Sequence, residues 1–187
     1  MRVMALDCEY NQPSHKCIEV GAVVYDAVTG KFVDSYHSYV NPGEPIYNVD
    51  PVLPTDPTNI TKLTGITDQM VQNAPTMAEV YEELRWFHAK HKVFMNPLVW
   101  GSGVRNDSQL IHQQSGSQEP NFMGYRVIDV KGIFQSVQMF KNEKIRGGLK
   151  AACERIGIGF EGIPHGALAD ARNTFRVWYH LLKEFKK

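Results

Sequence analysis

A mixed α/β fold, with helices packed on a sheet whose first three strands are antiparallel, is predicted by two observations on this chain. The first 40 residues hold three apolar, β-branched segments: residues 2–8, IEVGAVVYD (18–26) and KFVDSYHSYV (31–40). From Thr76 onward, helical patterning alternates with short apolar runs. Strands first, then helix and strand by turns, place helices against a sheet. A third observation concerns chemistry. VMALDCEY near one end and HGALADARN near the other each carry acidic residues at a spacing that suits metal-dependent phosphate reactions.

The first apolar run closes on Asp7 and Glu9. Residues i and i+2 of a strand share a face, so these two carboxylates are presented together while Cys8 turns into the core. Val28, Thr29 and Gly30 supply a turn that joins the second and third segments as a hairpin. Residues 41–59, NPGEPIYNVDPVLPTDPTN, hold five of the ten prolines and form a loop stiffened by fixed φ angles. Thr76 with Glu79 makes a capping box, followed by Met77, Val80, Tyr81, Leu84, Phe87 and His91 at helical spacing. The aromatic residues between 86 and 100 are expected in the core.

PLVWGSG (97–103) predicts a buried strand running into a loop, with a short helix from about Asp107. YRVID (125–129) predicts another short strand, its Asp129 capping the helix that follows. LKAACERIG (149–157) is a helix ended by Gly157. In the last helix Leu168, Ala171, Phe175, Trp178, Leu182 and Phe185 form an apolar stripe.

At 187 residues the chain suits one domain spanning 1–187, and 43% hydrophobic residues suffice for a core. Its apolar runs are too short to cross a bilayer, so no membrane partner is expected. The N-terminus lacks the basic start and apolar stretch of a signal peptide, which makes a cytosolic (cytoplasmic) protein the expectation. Cys8, Cys17 and Cys153 form no CxxC pair and are expected as reduced, buried thiols.

A formal net charge of zero argues against a protein that coats long duplexes. The charge is uneven: residues 1–140 carry 10 basic and 15 acidic side chains, and residues 141–187 carry 10 basic and 5 acidic. A basic surface beside a metal-neutralised acidic pocket fits a short nucleic-acid end. A solvated basic tail explains the asymmetry equally well. Lys141, Lys144, Arg146 and Lys150 flank a glycine pair and are candidates for phosphate contact or for a solvated loop.

Converging carboxylates repel one another unless a cation sits between them, and oxygen-only clusters suit Mg²⁺ or Mn²⁺. A third carboxylate, Asp107, stands at the strand-to-helix junction WGSGVRNDSQLI, at the sheet end where open α/β folds hold ligands. Asp170 lies beside the apolar stripe of the last helix and so faces the sheet margin. His165, five residues before it, sits in a Pro-His-Gly turn free to swing toward a substrate. The other histidines (His15, His37, His88, His91, His112, His180) show no paired spacing that demands a metal, and surface or packing roles are expected for them.

In this order LDCEY, WGSGVRND and HGALADARN resemble the three exonuclease motifs of the DnaQ-like superfamily of 3′–5′ exonucleases, the DEDDh branch with four acidic residues and a histidine. KLTGITDQMV and CIEVGAVVYD are similar to segments those enzymes carry between the first two motifs, so the resemblance covers nearly the whole chain. HGALAD is close to the third motif of bacterial replicative proofreading subunits, whereas the WG and DARNT elements look more like the exoribonuclease relatives.

The resemblance implies a ribonuclease H-like mixed five-stranded sheet flanked by helices. It implies that Asp7, Glu9, Asp107 and Asp170 ligate two divalent cations, Mg²⁺ or Mn²⁺, with His165 as general base. Two such ions roughly 3.5–4 Å apart generate the nucleophile and stabilise both attacking and leaving oxygens. The substrate implied is a single-stranded DNA or RNA 3′ end, and the product a nucleoside 5′-monophosphate. Nothing in the sequence names a protein partner. Leu63, Thr64 and Ile66 resemble the segment that meets the 3′-terminal sugar and base, with helix-end packing as the alternative. Tyr10 stands where the family often has a small hydroxyl residue, and is assigned to contact the terminal nucleotide. Asn106 stands where an aromatic is frequent, and the 101–106 and 41–59 loops are longer than usual.

Three other functions fit these motifs less well. An RNase H-type endonuclease would share the sheet and metals but not need His165 at that spacing. A nucleotidyltransferase places its Gly-Ser element before the acid pair, not some ninety residues after it. A catalytically inactive nucleic-acid-binding module would not need all five residues. GSGVRND lacks the GK[ST] ending of a phosphate-binding loop.

Overall fold

The computed structural model describes residues 1–101, 106–145 and 147–184. Residues 102–105 of the second motif, Arg146 and the predicted stripe member Phe185 lie outside the described residues. Five strands and seven helices occur among those described. The strands are β1 (Arg2–Tyr10), β2 (Cys17–Asp26), β3 (Phe32–Tyr39), β4 (Leu98–Val99) and β5 (Ile128–Asp129). They form one mixed sheet in the order β3-β2-β1-β4-β5. The first three are antiparallel neighbours, and β4 and β5 run parallel to β1. This is the ribonuclease H-like arrangement of mixed sheet and flanking helices.

Alternation along β1 sorts its side chains between two cores. Met4, Leu6 and Cys8 point toward α3 (Met77–Lys90) and α4 (Asp107–Ser115), where they meet Val80, Tyr81, Leu84, Phe87 and Ile111. Val3 and Ala5 point to the other face, against α5 (Val130–Phe140), α6 (Leu149–Arg155) and α7 (Ala167–Glu184). Asp7 and Glu9 continue this second parity, so both carboxylates emerge on the α7 side of the sheet. All three cysteines are buried and free, Cys8 among the apolar residues of the first core.

The helices begin where local chemistry allows. Thr76 and Glu79 bond reciprocally as a capping box, Asn106 caps α4 through Gln109 N, and Asp129 caps α5 through Gly132 N. A third, smaller cluster of Ile18, Ile46, Ile60, Ile66 and Val71 joins the proline-rich segment to α1 (Ile60–Thr64) and α2 (Asp68–Val71). That segment is also pinned to β1. The buried Asn11 donates to Glu44 Oε1 and the Pro45 carbonyl, and accepts from Tyr47 N.

Two sequence expectations are corrected. The buried face of α7 is broader than one stripe, because the helix packs on β1 and β2 and also on α5 and α6. It takes in Thr174, Val177 and Leu181, while Leu182 stays at its edge and exposed. Of the aromatics between 86 and 100, Phe87 is core but Trp86 is 66% exposed, since its neighbour holds the inward face of α3. Phe94 is exposed as well.

The crossing of α7 over β2 demands a residue without a side chain. A Cβ on Gly21 would stand 2.3 Å from the Ala167 carbonyl carbon and the Leu168 nitrogen, both backbone atoms. Gly21→Ala should therefore push the N-terminus of α7 off the sheet, destabilising the protein by about 1–3 kcal/mol in urea unfolding. Unchanged stability would show that the two elements are not in contact there.

Candidate active site

Each side chain of the site is placed by a different element. Asp7 and Glu9 lie in the C-terminal half of β1, which pairs in parallel with β4. The chain leaving β4 thus emerges at the same sheet end, and Asp107 begins α4 there. Asp170 occupies the first turn of α7, and His165 lies in the preceding turn with φ at +62°. This left-handed conformation is sparsely populated by residues with a Cβ, so the surrounding fold must hold it.

The structure gathers these groups. Glu9, His165 and Asp170 each offer a ligand atom, all within 4.8 Å of one another. Burial raises the Asp7 carboxyl well above its ordinary range, and Asp107, Asp170, Glu9 and Glu19 add to the effect. Glu9 is pushed up to about 8 by burial, then by Asp170, Glu19 and Asp107. Asp107 is raised to about 6 by burial, against the pull of a Tyr10 hydrogen bond. Asp170 is raised to about 6 by burial, opposed by the His165 ring and a backbone hydrogen bond from His165. Burial thus disfavours the anion at all four carboxylates, and Asp7 and Glu9 also feel the charge of the others.

One oxygen of Asp170 is buried with no hydrogen-bond partner. An orphaned carboxylate oxygen is expensive, and it fits a hard divalent cation coming between Asp170 and its neighbours. The all-oxygen donors of Asp7, Glu9, Asp107 and Asp170 fit the same kind of ion. His165 is exposed at the edge of this group. Beside it opens a cleft of about 480 Å³ lined by Lys150, Glu154, Phe160, Pro164, His165 and Asp170 among others. Lys150 thereby brings one of the predicted basic groups to the acidic centre.

Three residues assigned to substrate are placed differently. The Tyr10 hydroxyl donates to Asp107 Oδ1 at 3.0 Å. Tyr10 has the opposite parity to Glu9 and packs on the α3–α4 core, which aims its hydroxyl at the start of α4. Ile66 is 2% exposed and committed to the small isoleucine cluster. The Thr64 hydroxyl donates to the Ile60 carbonyl at 2.9 Å and accepts from Ile66 N at 3.1 Å, which is helix-end packing. Leu63 stays exposed, on a groove with Asp50, Pro51, Thr58, Asn59 and Lys62.

One residue beside the site, Glu19, escaped the sequence reading. Glu19 is buried on β2, directly across from Glu9, and is held by His37. An acid in the interior of the apolar run CIEVGAVVYD was the available signal.

The fold and this site together define a nuclease-like protein of the α/β type, and the comparisons give its family. The exonuclease family RNase_T matches residues 4–178, and the chain belongs to that family. The "3'-5' exonuclease eri1" of Schizosaccharomyces pombe is 25% identical over 188 residues, covering 87% of this chain and 59% of that protein. "ERI1 exoribonuclease 2" of Danio rerio is 28% identical over 189 residues, covering 89% of this chain and 31% of that protein. The chain therefore spans less than two thirds of either relative's own length. The nuclease domain of 3'hExo, described as a DEDDh family member bound to rAMP, superposes with a TM-score of 0.71 at 21% identity. That match covers 98% of this chain and 92% of the other, and shows the shared fold.

Raised carboxyl groups bind protons more tightly in the folded than in the unfolded chain. The stability they give at low pH is lost as pH rises through the folded values of about 6 for Asp107 and Asp170 and about 8 for Glu9. In excess chelator the melting midpoint should thus fall from pH 6 to pH 8. Mg²⁺ should raise it more at pH 8, each kcal/mol recovered moving it by roughly 2–4 °C. A midpoint that climbs with pH in chelator, or an equal Mg²⁺ shift at both pH values, would contradict this electrostatic account.

Proposed function

We propose that this chain is a metal-dependent 3′–5′ exonuclease that removes nucleoside 5′-monophosphates from single-stranded 3′ ends, RNA in preference to DNA. The observation that carries the reading is the meeting of Glu9, His165 and Asp170 within 4.8 Å, together with a buried, unpartnered oxygen on Asp170. Family membership supports the reaction class. The RNA preference draws on the exoribonuclease relative and on the rAMP complex of the structural neighbour.

Asp7, Glu9, Asp107 and Asp170 would hold two divalent cations, Mg²⁺ or Mn²⁺. Those ions supply the positive charge that lowers the pKa of water and offsets charge on the attacking and leaving oxygens. The protein's own groups do the rest. Tyr10 fixes one Asp107 oxygen through its hydroxyl. His165, exposed and next to the carboxylates, takes the proton of the attacking water on an imidazole nitrogen. The water oxygen bonds to phosphorus, the bond from phosphorus to the 3′ oxygen of the preceding nucleotide breaks, and that oxygen leaves as a hydroxyl once protonated. Leu63 and the 41–59 segment form one wall of the proposed groove, and Lys150 offers a cation to the phosphate. The acidic interior suits a frayed end better than paired strands, because overall charge balance leaves little energy for gripping a long backbone.

The test uses 5′-labelled and 3′-labelled single strands of matched RNA and DNA with Mg²⁺. The expected result is laddering from the 3′ end, faster on RNA, slow on blunt duplex and absent in excess chelator. Laddering from the 5′ end, internal cuts, or full hydrolysis in chelator would overturn the reading. His165→Ala should lower kcat by about 10²–10⁴-fold while the melting midpoint barely moves, since the side chain is exposed in a turn. Near-parental turnover at neutral pH would remove His165 from the reaction.

A further inference from the structure

Glu19 is the unexplained charge of this fold. It is 6% exposed on β2, within a run of buried residues, and directly across from Glu9 on β1 and Tyr39 on β3. Both of its oxygens are engaged. Oε1 lies 2.7 Å from His37 Nε2, and Oε2 accepts from the Ala167 backbone N–H at 2.9 Å. Those two bonds tie Glu19 to β3 on one side and to the start of α7 on the other.

Ala167 is the first residue of α7, two residues after His165 and three before Asp170. Its N–H is one of the donors that a helix start leaves without an intrahelical partner. The bond to Glu19 therefore fixes the start of α7 to β2, at the point where Gly21 lets the two backbones touch. The Asp170 N–H closes the same turn on the Gly166 carbonyl at 3.0 Å. His165 is held at φ +62°, so the turn bearing the imidazole sits in a conformation the chain would not keep unaided. His37 holds the other end of the clamp, packed edge-on against Tyr39 with ring centroids 5.1 Å apart.

We propose that Glu19, oriented by His37, is a positioning residue that sets the His165 imidazole over the carboxylates of β1 by anchoring Ala167. The inference rests on the exonuclease reading above and deepens it. Glu19 acts through geometry and not through its charge, since a second anion beside Asp7, Glu9 and Asp170 only adds to their repulsion.

The experiment is a double-mutant cycle in the full chain, read by single-strand hydrolysis with Mg²⁺ and by hydrogen exchange of the Ala167 amide. Glu19→Ala should lower kcat about tenfold with KM within about twofold, and should expose the Ala167 amide to faster exchange. Glu19→Gln should recover most of the rate, because an amide oxygen can accept from Ala167 while the amide nitrogen can donate to a ring nitrogen of His37. In a His165→Ala background the Glu19→Ala loss should shrink to within about twofold, since the residue acted on is gone. His37→Ala, a half-exposed position that leaves the core intact, should show a smaller loss, about threefold, that also vanishes in that background. It keeps the test available if Glu19→Ala does not fold. An undiminished loss in the His165→Ala background, or Glu19→Gln as impaired as Glu19→Ala with the amide still protected, would overturn the proposal. Parental protein without 3′ hydrolysis would instead overturn the exonuclease reading, and the amide exchange would still report whether the clamp exists.

Discussion

Mutual repulsion among buried carboxylates is the constraint around which this molecule is arranged. Burial pushes Asp7, Glu9, Asp107 and Asp170 each toward the protonated form, and the charge of neighbouring carboxylates adds to it at Asp7 and at Glu9, the latter reaching about 8. A fold that brings such groups together forgoes stability unless something positive joins them. The orphaned Asp170 oxygen marks where the deficit is concentrated. The strain and the proposed chemistry have one source, because the field that raises these pKa values is the field a divalent cation would satisfy.

Three elements must converge to create that field, and α7 governs the convergence. It lies across β1 and β2, contributes Asp170 from its first turn, and fills the second core with Ala171, Phe175, Val177, Trp178 and Leu181. Gly21 permits the close approach, and Glu19 ties down the first amide. The other side of the site depends on the opposite face of the sheet, where Tyr10 packs on the α3–α4 core and reaches across to Asp107. Helix packing far from the chemistry thus sets the positions of the reacting groups.

The sequence was most legible where the governing physics is local. Strand alternation placed Asp7 and Glu9 on one face and Cys8 on the other, and the capping residues Thr76 and Asp129 need only their own next turn. The order of the three acidic motifs pointed to the family because the motifs themselves are short and contiguous. What escaped depends on pairs distant along the chain. Glu19 meets Ala167 across 148 residues, and Tyr10 meets Asp107 across 97. For Ile66 the sequence offers substrate contact and helix-end packing alike, and its enclosure by Ile18, Ile46 and Ile60 rests on residues distant along the chain. Leu182 fitted the helical stripe, yet α7 buries a broader face because it is packed on the sheet and on two helices.

The central claim is that the acidic cluster binds cations through its carboxylates while His165 stands beside them as a proton acceptor. Calorimetric titration of Mn²⁺ into the parental protein, Asp170→Ala and His165→Ala tests it most directly. The account predicts binding to the parental protein and an affinity within about twofold for His165→Ala. For Asp170→Ala it predicts a loss of about tenfold or more, since even outer-shell partners of a metal are worth that much. Contradiction would come from a parental protein that takes up no Mn²⁺, or from His165→Ala losing as much affinity as Asp170→Ala.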